Sequence, residues 1–280
     1  MRVIRTVGEL REWSRAARKA GQSVGLAPTM GALHAGHISL VRAAKASCDV
    51  VAASIFVNPT QFGPNEDFAL YPRTFDADCA LLEAEGVDAV FAPGAEEMYP
   101  AGAATFVDVA GLSERLDGGS RPGHFRGVAT VVAKLFIAAE PDRAFFGQKD
   151  AAQVAVLRRM VVDLRLSVDL VVCPIVREAD GLAMSSRNRY LSAEERRQAP
   201  VLSRALRAVQ NKVEAGERSS AALVAEAEMV ISSEPAVRAD YIAAVDWGTL
   251  LPVETVASGT LFAVAAFIGT TRLIDNFVVG

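Results

Sequence analysis

Through the first two-thirds of the chain, short apolar runs alternate with longer stretches in which apolar residues recur every three or four positions. Runs of the first kind read as strands and stretches of the second as helices. Residues 24–27 read as a strand and 36–46 as a helix. The run 50–57 is almost continuously apolar, the pattern of a strand buried on both faces. It is also a stretch that can lie near a subunit interface. Residues 74–85 read as a helix with Thr74 at its N-cap, and 87–92 as a strand. A helix at 128–139, a strand at 143–146, a helix at 151–164 and a strand at 168–173 complete the alternation. This order predicts an α/β fold: a Rossmann-like, doubly wound parallel sheet with its site at the carboxyl ends of the strands.

The pattern changes near residue 176. A polar loop runs through 178–189, and Ser192-Ala-Glu-Glu195 forms a capping box that opens a helix. A second helix is expected over 220–231, then strands at 241–245, 260–266 and 273–278. Helices followed by a small antiparallel sheet predict a smaller C-terminal α+β domain. We expect a catalytic domain over residues 1–175 and a lid over 176–280.

The bulk properties narrow the function classes. At 280 residues and 51% hydrophobic, the chain has room for two domains and a sizeable core. A net charge of −4 argues against a nucleic-acid partner, whose footprint is usually basic, but leaves room for a local anion pocket. The three cysteines, Cys48, Cys79 and Cys173, form no C-x-x-C pair, so free thiols in a reducing cytoplasm are expected. The N-terminus lacks the apolar core of a signal peptide. Lys134 interrupts one long apolar stretch and Gly269 ends another, both short of the roughly 20 residues of a membrane span.

The chemistry concentrates in a few motifs. In Pro28-Thr-Met-Gly-Ala-Leu-His34-Ala-Gly36-His37, two of the chain's three histidines sit three apart where a strand turns into a helix. Helix N-termini present free N–H groups to anions, and the glycines allow close approach. Neutral imidazoles can donate hydrogen bonds to phosphate, and imidazolium can neutralise developing charge. The Gly31-x-x-x-x-Gly36 spacing mimics a P-loop only superficially, because His37 and Ile38 stand where Lys and Ser or Thr are needed. A zinc pair is an alternative without an obvious third ligand nearby.

Lys149, in Phe146-Gly147-Gln148-Lys149-Asp150, falls at a strand's carboxyl end, with Gln153 a turn further on. Met184-Ser185-Ser186-Arg187 offers two hydroxyls and a guanidinium to β- and γ-phosphates, or simply caps the next helix. The polar loop from Asn58 through Gln61 and Tyr71 to Arg73 is long enough to have a task. Arg121-Pro-Gly-His124-Phe-Arg126 has the composition of an anion clamp, and equally of a structural loop.

On residues 28–37, 56–73, 121–127, 146–153 and 174–191, the chain resembles the pantothenate synthetase (pantoate–β-alanine ligase) family. More distantly it is similar to class I aminoacyl-tRNA synthetases and other nucleotidyltransferases, with their His-x-Gly-His turn and Lys-Met-Ser-Lys-Ser loop. Here that loop begins with Ala183 and carries Ser186 at its fourth position, a departure that weighs against a tRNA synthetase.

The resemblance implies ATP-dependent condensation of (R)-pantoate with β-alanine through a pantoyl adenylate, releasing pyrophosphate and then AMP. It implies a homodimer using ATP and Mg2+, the metal held chiefly by phosphates and water. His34, His37, Lys149 and Arg187 are the implied catalytic residues. The nucleotide would lie along Met30, Gly31, Ala32, Leu33, His34, Ala35, Gly36 and His37. Gly147, Gln148, Lys149, Asp150, Val176, Met184, Ser185, Ser186 and Arg187 would complete its site. Gln61, Gln153, Asn58, Tyr71 and Arg121 are the implied contacts of pantoate and β-alanine. Asp78 is a candidate for the outer sphere of the magnesium. Two rivals stay open: an adenylate-forming enzyme with another acid, and a nucleotide-binding regulator without turnover.

Overall fold

The alternating runs form a six-stranded parallel sheet wrapped by helices in the computed structural model, which describes residues 1–64 and 66–280. Asn65, in the polar loop singled out above, lies outside the described residues. The chain opens with β1 (Arg2–Ile4) and α1 (Val7–Lys19), which the periodicity left unassigned. The strand is three residues long and α1 is mostly polar, burying only Leu10, Ser14 and Ala17. Its signal was the Thr6–Glu9 capping box, present with both reciprocal bonds.

Next come β2 (Val24–Thr29), α2 (Ala35–Ser47), β3 (Val50–Ile55), α3 (Phe75–Ala84) and β4 (Ala89–Phe91). Two single-turn helices follow, α4 (Ala95–Met98) and α5 (Asp117–Ser120), and then α6 (His124–Ala139). The first sheet is completed by β5 (Arg143–Gly147), α7 (Ala151–Asp163) and β6 (Asp169–Cys173). Its strand order is β1-β4-β3-β2-β5-β6, parallel throughout. The connection from β2 leads to β3 on one side, whereas β5 lies on the other. The sheet's switch point therefore falls between β2 and β5, where open α/β sheets leave a crevice for ligands.

The run 50–57 forms an interior strand, β3, and Val51, Ala52 and Ala53 are fully buried within the chain itself. One expectation changes here. Thr74 precedes α3 but makes no side-chain cap, because its hydroxyl donates to Asp78 instead.

The rest of the chain forms α8 (Ala193–Gln198), α9 (Val201–Glu214), α10 (Ser220–Ile231) and the antiparallel strands β7 (Val237–Asp246), β8 (Thr260–Ile268) and β9 (Thr271–Val278). The helix expected after Ser192 is two helices. Pro200 carries no N–H to continue α8 and starts α9 instead. The second sheet is buried on both faces. Phe262, Val264 and Ala266 pack with Leu206 and Val209 of α9 and Leu223 of α10. The alternate residues Leu261 and Ala263, with Val245 and Leu250, belong to the same apolar cluster as Val128 and Leu135 of α6. The two sheets thus share a core. No helix among the described residues is long and apolar enough to cross a membrane.

Candidate active site

The histidine turn is built by short-range constraints. Gly31 and Ala32 both take positive φ, at 85° and 50°, which reverses the chain sharply after β2. Asp78, from α3, fixes the reversal: its two carboxylate oxygens accept the N–H groups of Ala32 and Leu33, each at 2.9 Å. The Asp78 side chain is only 2% exposed and also accepts from Thr74. With three donors bonded to it, Asp78 anchors the turn.

His34 is the N-cap of α2, and its Nδ1 accepts the N–H of Gly36 at 3.1 Å. The N–H of His34 in turn donates to Nδ1 of His37 at 3.3 Å. The pair is a capping box made of imidazoles, with ring centroids 4.1 Å apart. A backbone N–H can only donate, so neither Nδ1 carries a proton. Burial lowers the pKa of His34 to about 4 and of His37 to about 3, the Lys149 ammonium adding to the effect on both. In the free protein both rings are neutral, and each holds its proton on Nε2, which makes no hydrogen bond among the described residues. Of the two alternatives open from sequence, neutral donors are supported and imidazolium is not. Gly36 permits the packing, because a Cβ there would lie 2.8 Å from Cε1 of His34.

Two adjoining cavities open at the carboxyl ends of β2, β3 and β5. The larger, about 190 Å³, holds His37, Gln61, Tyr71, Gln153 and Arg187 on its walls, with Val131 and Leu135 of α6 supplying an apolar side. The smaller, about 150 Å³, is walled by His34, Lys149, Val176, Met184, Ser185 and Ser186. Met30, His37, Tyr71, Gly147, Asp150 and Arg187 border both, and Gly36 borders the smaller. Gly31, Ala32 and Leu33 are buried beneath the turn; they, Ala35 and Gln148 line neither cavity.

Several polar groups assigned to ligands are engaged by the protein. Asn58 is 1% exposed; its Nδ2 donates to Gln61 Oε1 and the Gly127 carbonyl, and its Oδ1 accepts from Thr60 and Tyr99. It lines the larger cavity but serves to hold Gln61. Arg121 makes a fork with Glu66 at 2.8 and 2.6 Å and donates to the Gln61 carbonyl and to His124 Nε2. That bond leaves the His124 proton on Nδ1, which donates to the Gln61 carbonyl at 2.8 Å. Gln61 itself spends Nε2 only on the weak acceptor Met30 Sδ. Asn58 and Arg121 both line the larger cavity, and in the free protein both also bond to Gln61 and hold it in place.

Arg187 is likewise forked, to Asp67, with Nε and Nη2 each at 3.0 Å. The loop that carries it is fixed at two points. Ser186 Oγ donates to the Ala32 carbonyl at 3.0 Å, and Met184 N–H donates to the Val176 carbonyl at 3.0 Å. Lys149 sits on the single-turn helix Gln148–Asp150 that follows β5, with its ammonium 3.7 Å from Asp150. Sequence reasoning missed Asp67, Glu66 and the anchoring roles of Asp78 and His124. His124 lay inside a quoted motif, and Asp78 was named only for the surroundings of the magnesium.

The pantoate-beta-alanine ligase family model matches residues 2–278. A pantothenate synthetase of Acidobacterium capsulatum is 70% identical over 259 residues, covering 92% of this chain and 87% of its own length. One from Koribacter versatilis is 59% identical over 278 residues, 99% of this chain and 96% of its own. A solved pantothenate synthetase of Thermus thermophilus aligns with a TM-score of 0.94 at 49% identity, covering 99% of both chains. A pantoate-beta-alanine ligase from Francisella tularensis, complexed with beta-gamma ATP and beta-alanine, aligns at 0.81 and 33% identity, covering 99% of this chain and 97% of its own. With the switch-point crevice and the histidine turn at its mouth, these matches along the whole chain make it a member of the pantoate–β-alanine ligase family, the pantothenate synthetases.

Proposed function

We propose that this chain condenses (R)-pantoate with β-alanine to pantothenate, using ATP and releasing pyrophosphate and AMP through a pantoyl adenylate. The family supports the overall reaction, and the ligand-bound Francisella relative supports the co-substrates. The observation that carries the chemistry is the pair of neutral imidazoles with unpartnered Nε2–H groups beside Lys149.

In the first step a pantoate carboxylate oxygen attacks the α-phosphorus, and the bond to the bridging oxygen of the β-phosphate breaks. Negative charge builds on the α-phosphoryl and leaving oxygens. The Nε2–H groups of His34 and His37 and the Lys149 ammonium meet that charge with donors already in place. Being neutral, the rings give hydrogen bonds rather than protons. Ser185, Ser186 and Arg187 hold the departing pyrophosphate. The nucleotide occupies the smaller cavity, against Met30, His34, Gly36, His37, Gly147, Lys149, Asp150 and Val176; Gly31, Ala32, Leu33, Ala35 and Gln148 shape the turns behind it. Gln61 and Gln153 hold the hydroxyls and carboxylate of pantoate in the larger one.

In the second step the neutral β-alanine amine attacks the acyl carbon. The bond from that carbon to the phosphate oxygen breaks, AMP leaves, and the surplus amine proton passes to solvent. Walls closed by Tyr71, Val131 and Leu135 keep water from the intermediate.

The donor set suits a metal that travels with the nucleotide. The described residues contain no cluster of three metal-binding side chains, and Asp150 is the carboxylate bordering both cavities. Mg2+ would be held by phosphate oxygens, water and Asp150, and would neutralise charge on the polyphosphate.

The division into residues 1–175 and 176–280, the homodimer and the cytoplasmic setting belong to the same proposal. The separate parallel and antiparallel sheets support the first, and three free cysteines suit a reducing compartment.

The test is ATP–[³²P]pyrophosphate exchange with pantoate and magnesium, β-alanine omitted. Pantoate-dependent exchange is expected, followed by AMP and pantothenate once β-alanine is added. Exchange with a different acid moves the chain to another adenylate-forming activity. ATP binding without exchange or turnover makes it a regulator.

A further inference from the structure

The second sheet reaches into the catalytic turn through one side chain. Asn276 lies in β9 opposite Ala263, on the face turned toward the first core, and is only 3% exposed. Its Nδ2 donates to the carbonyls of Gln148 at 3.0 Å and Lys149 at 2.9 Å, and its Oδ1 accepts from Gln148 Nε2 at 3.2 Å. Both donors and the acceptor of this amide are therefore spent on two successive residues of the turn. Trp247, in the turn that follows β7, donates through Nε1 to the Ala151 carbonyl at 2.9 Å, so the C-terminal part of the chain also grips the first residue of α7.

Asparagine is disfavoured inside a strand, and burying an amide costs free energy unless it is bonded. Along β9, Leu273 and Phe277 are buried apolar residues. The neighbouring Asp275 is also buried and is bonded to Arg177, at the start of the polar loop. An apolar side chain at 276 would leave the Gln148 and Lys149 carbonyls facing the shared core without these donors.

We propose that Asn276 is a positioning residue for Lys149. By bonding both carbonyls of the turn, it fixes the peptide from which the lysine side chain departs, and so sets where the ammonium meets the α-phosphate and the pantoate carboxylate. The proposal rests on the catalytic reading of Lys149 given above. It makes the second sheet part of the catalytic framework as well as a cover.

The test is a double-mutant cycle read by pantoate-dependent pyrophosphate exchange, with thermal melting of each variant alongside. Asn276→Ala is expected to slow adenylation about 10- to 100-fold, as a displacement on the order of 1 Å does. In a Lys149→Ala background the same change is expected to cost less than about twofold, because the route through the lysine that the proposal assigns to it is already gone. A purely structural role predicts equal losses in both backgrounds, and that result overturns the proposal, as does an unchanged rate for Asn276→Ala. Should the alanine variant fail to fold, Asn276→Asp keeps the shape while removing both donors, and the same cycle applies. The two layers separate cleanly. Full exchange by Lys149→Ala removes the lysine's role and the proposal with it. A crippled Lys149→Ala with an additive loss at Asn276 removes the proposal alone.

Discussion

The site draws its donors from two regions that are prepared differently. In the turn between β2 and α2, His34 and His37 are neutral, and each bonds through Nδ1 to a backbone N–H and leaves its Nε2–H without a partner among the described residues. Around the loop after β3, the cations are charged but engaged: Arg187 forks to Asp67 and Arg121 to Glu66. Neutral donors can be left unpartnered in a half-buried cleft at little cost. A guanidinium cannot, because an unpaired buried charge is far more expensive. A phosphate site can hold its neutral donors ready, while a forked arginine exchanges its carboxylate for the ligand; Lys149, 3.7 Å from Asp150, stands between the two cases.

If the histidine turn is the preformed part, its loss should dominate. His37→Ala and His34→Ala are each expected to lower adenylation by about 100-fold or more, the effect of removing a preorganised donor from charge that develops in the transition state. The check is single-turnover formation of the adenylate by variants whose melting curves match the parent. Near-normal rates in either would end its assigned role.

Asp78→Ala asks how the turn is held. It leaves the N–H groups of Ala32 and Leu33 buried without acceptors, and each such loss costs about 1–3 kcal/mol. We expect a stability loss of about 3 kcal/mol in urea unfolding and a roughly tenfold fall in activity. A chelating role predicts instead that added magnesium rescues the variant, which we do not expect.

Much of this was legible in the sequence, for a physical reason. The strands and the histidine turn arise from neighbours in the chain: apolar runs, a glycine able to take positive φ, a cap two or three residues from its partner. Helix α10 falls where its apolar pattern placed it. What escaped was the pairing of polar groups far apart in sequence. Arg187 and Asp67 are separated by 120 positions, and Asn276 and Lys149 by 127. An Asp or Asn carries the same letter whether it faces a ligand, a backbone N–H or a guanidinium. For this reason the bonds that Asn58, Arg121 and Asp78 make to other parts of the protein were not readable from their letters.

The neutral state of the imidazoles makes a prediction about pH. His34 and His124 have folded-state pKa values of about 4 and His37 of about 3, all below the ordinary value of 6.5. Between those values and 6.5 the unfolded chain binds protons that the folded chain does not. Stability is therefore complete above about pH 6.5 and declines as the pH falls, by up to about 1.4 kcal/mol per unit for each ring. Denaturant unfolding at a series of pH values should show this slope. The imidazole resonances of the folded protein should stay in their neutral positions at pH 5. A titration of His34 or His37 near 6.5 would refute the burial-lowered pKa on which this prediction rests.

The smallest expected effect tests the other side of the comparison. Asp67→Asn keeps the shape of the fork and one acceptor for Arg187 but removes the carboxylate charge. If Asp67 only holds the guanidinium until a polyphosphate arrives, the exchange becomes easier. The KM for ATP should then fall about threefold with kcat little changed, and stability should drop by no more than about 1 kcal/mol, as for a partly exposed pair. Arg121 supplies the control: His124 and the Gln61 carbonyl hold it besides Glu66, so Glu66→Gln should leave the ATP KM within error of the parent. A rise in KM or a fall in kcat for Asp67→Asn would mean that the carboxylate orients Arg187 for the reaction. The arginine would then be as preformed as the histidines, and the contrast between the two regions would disappear.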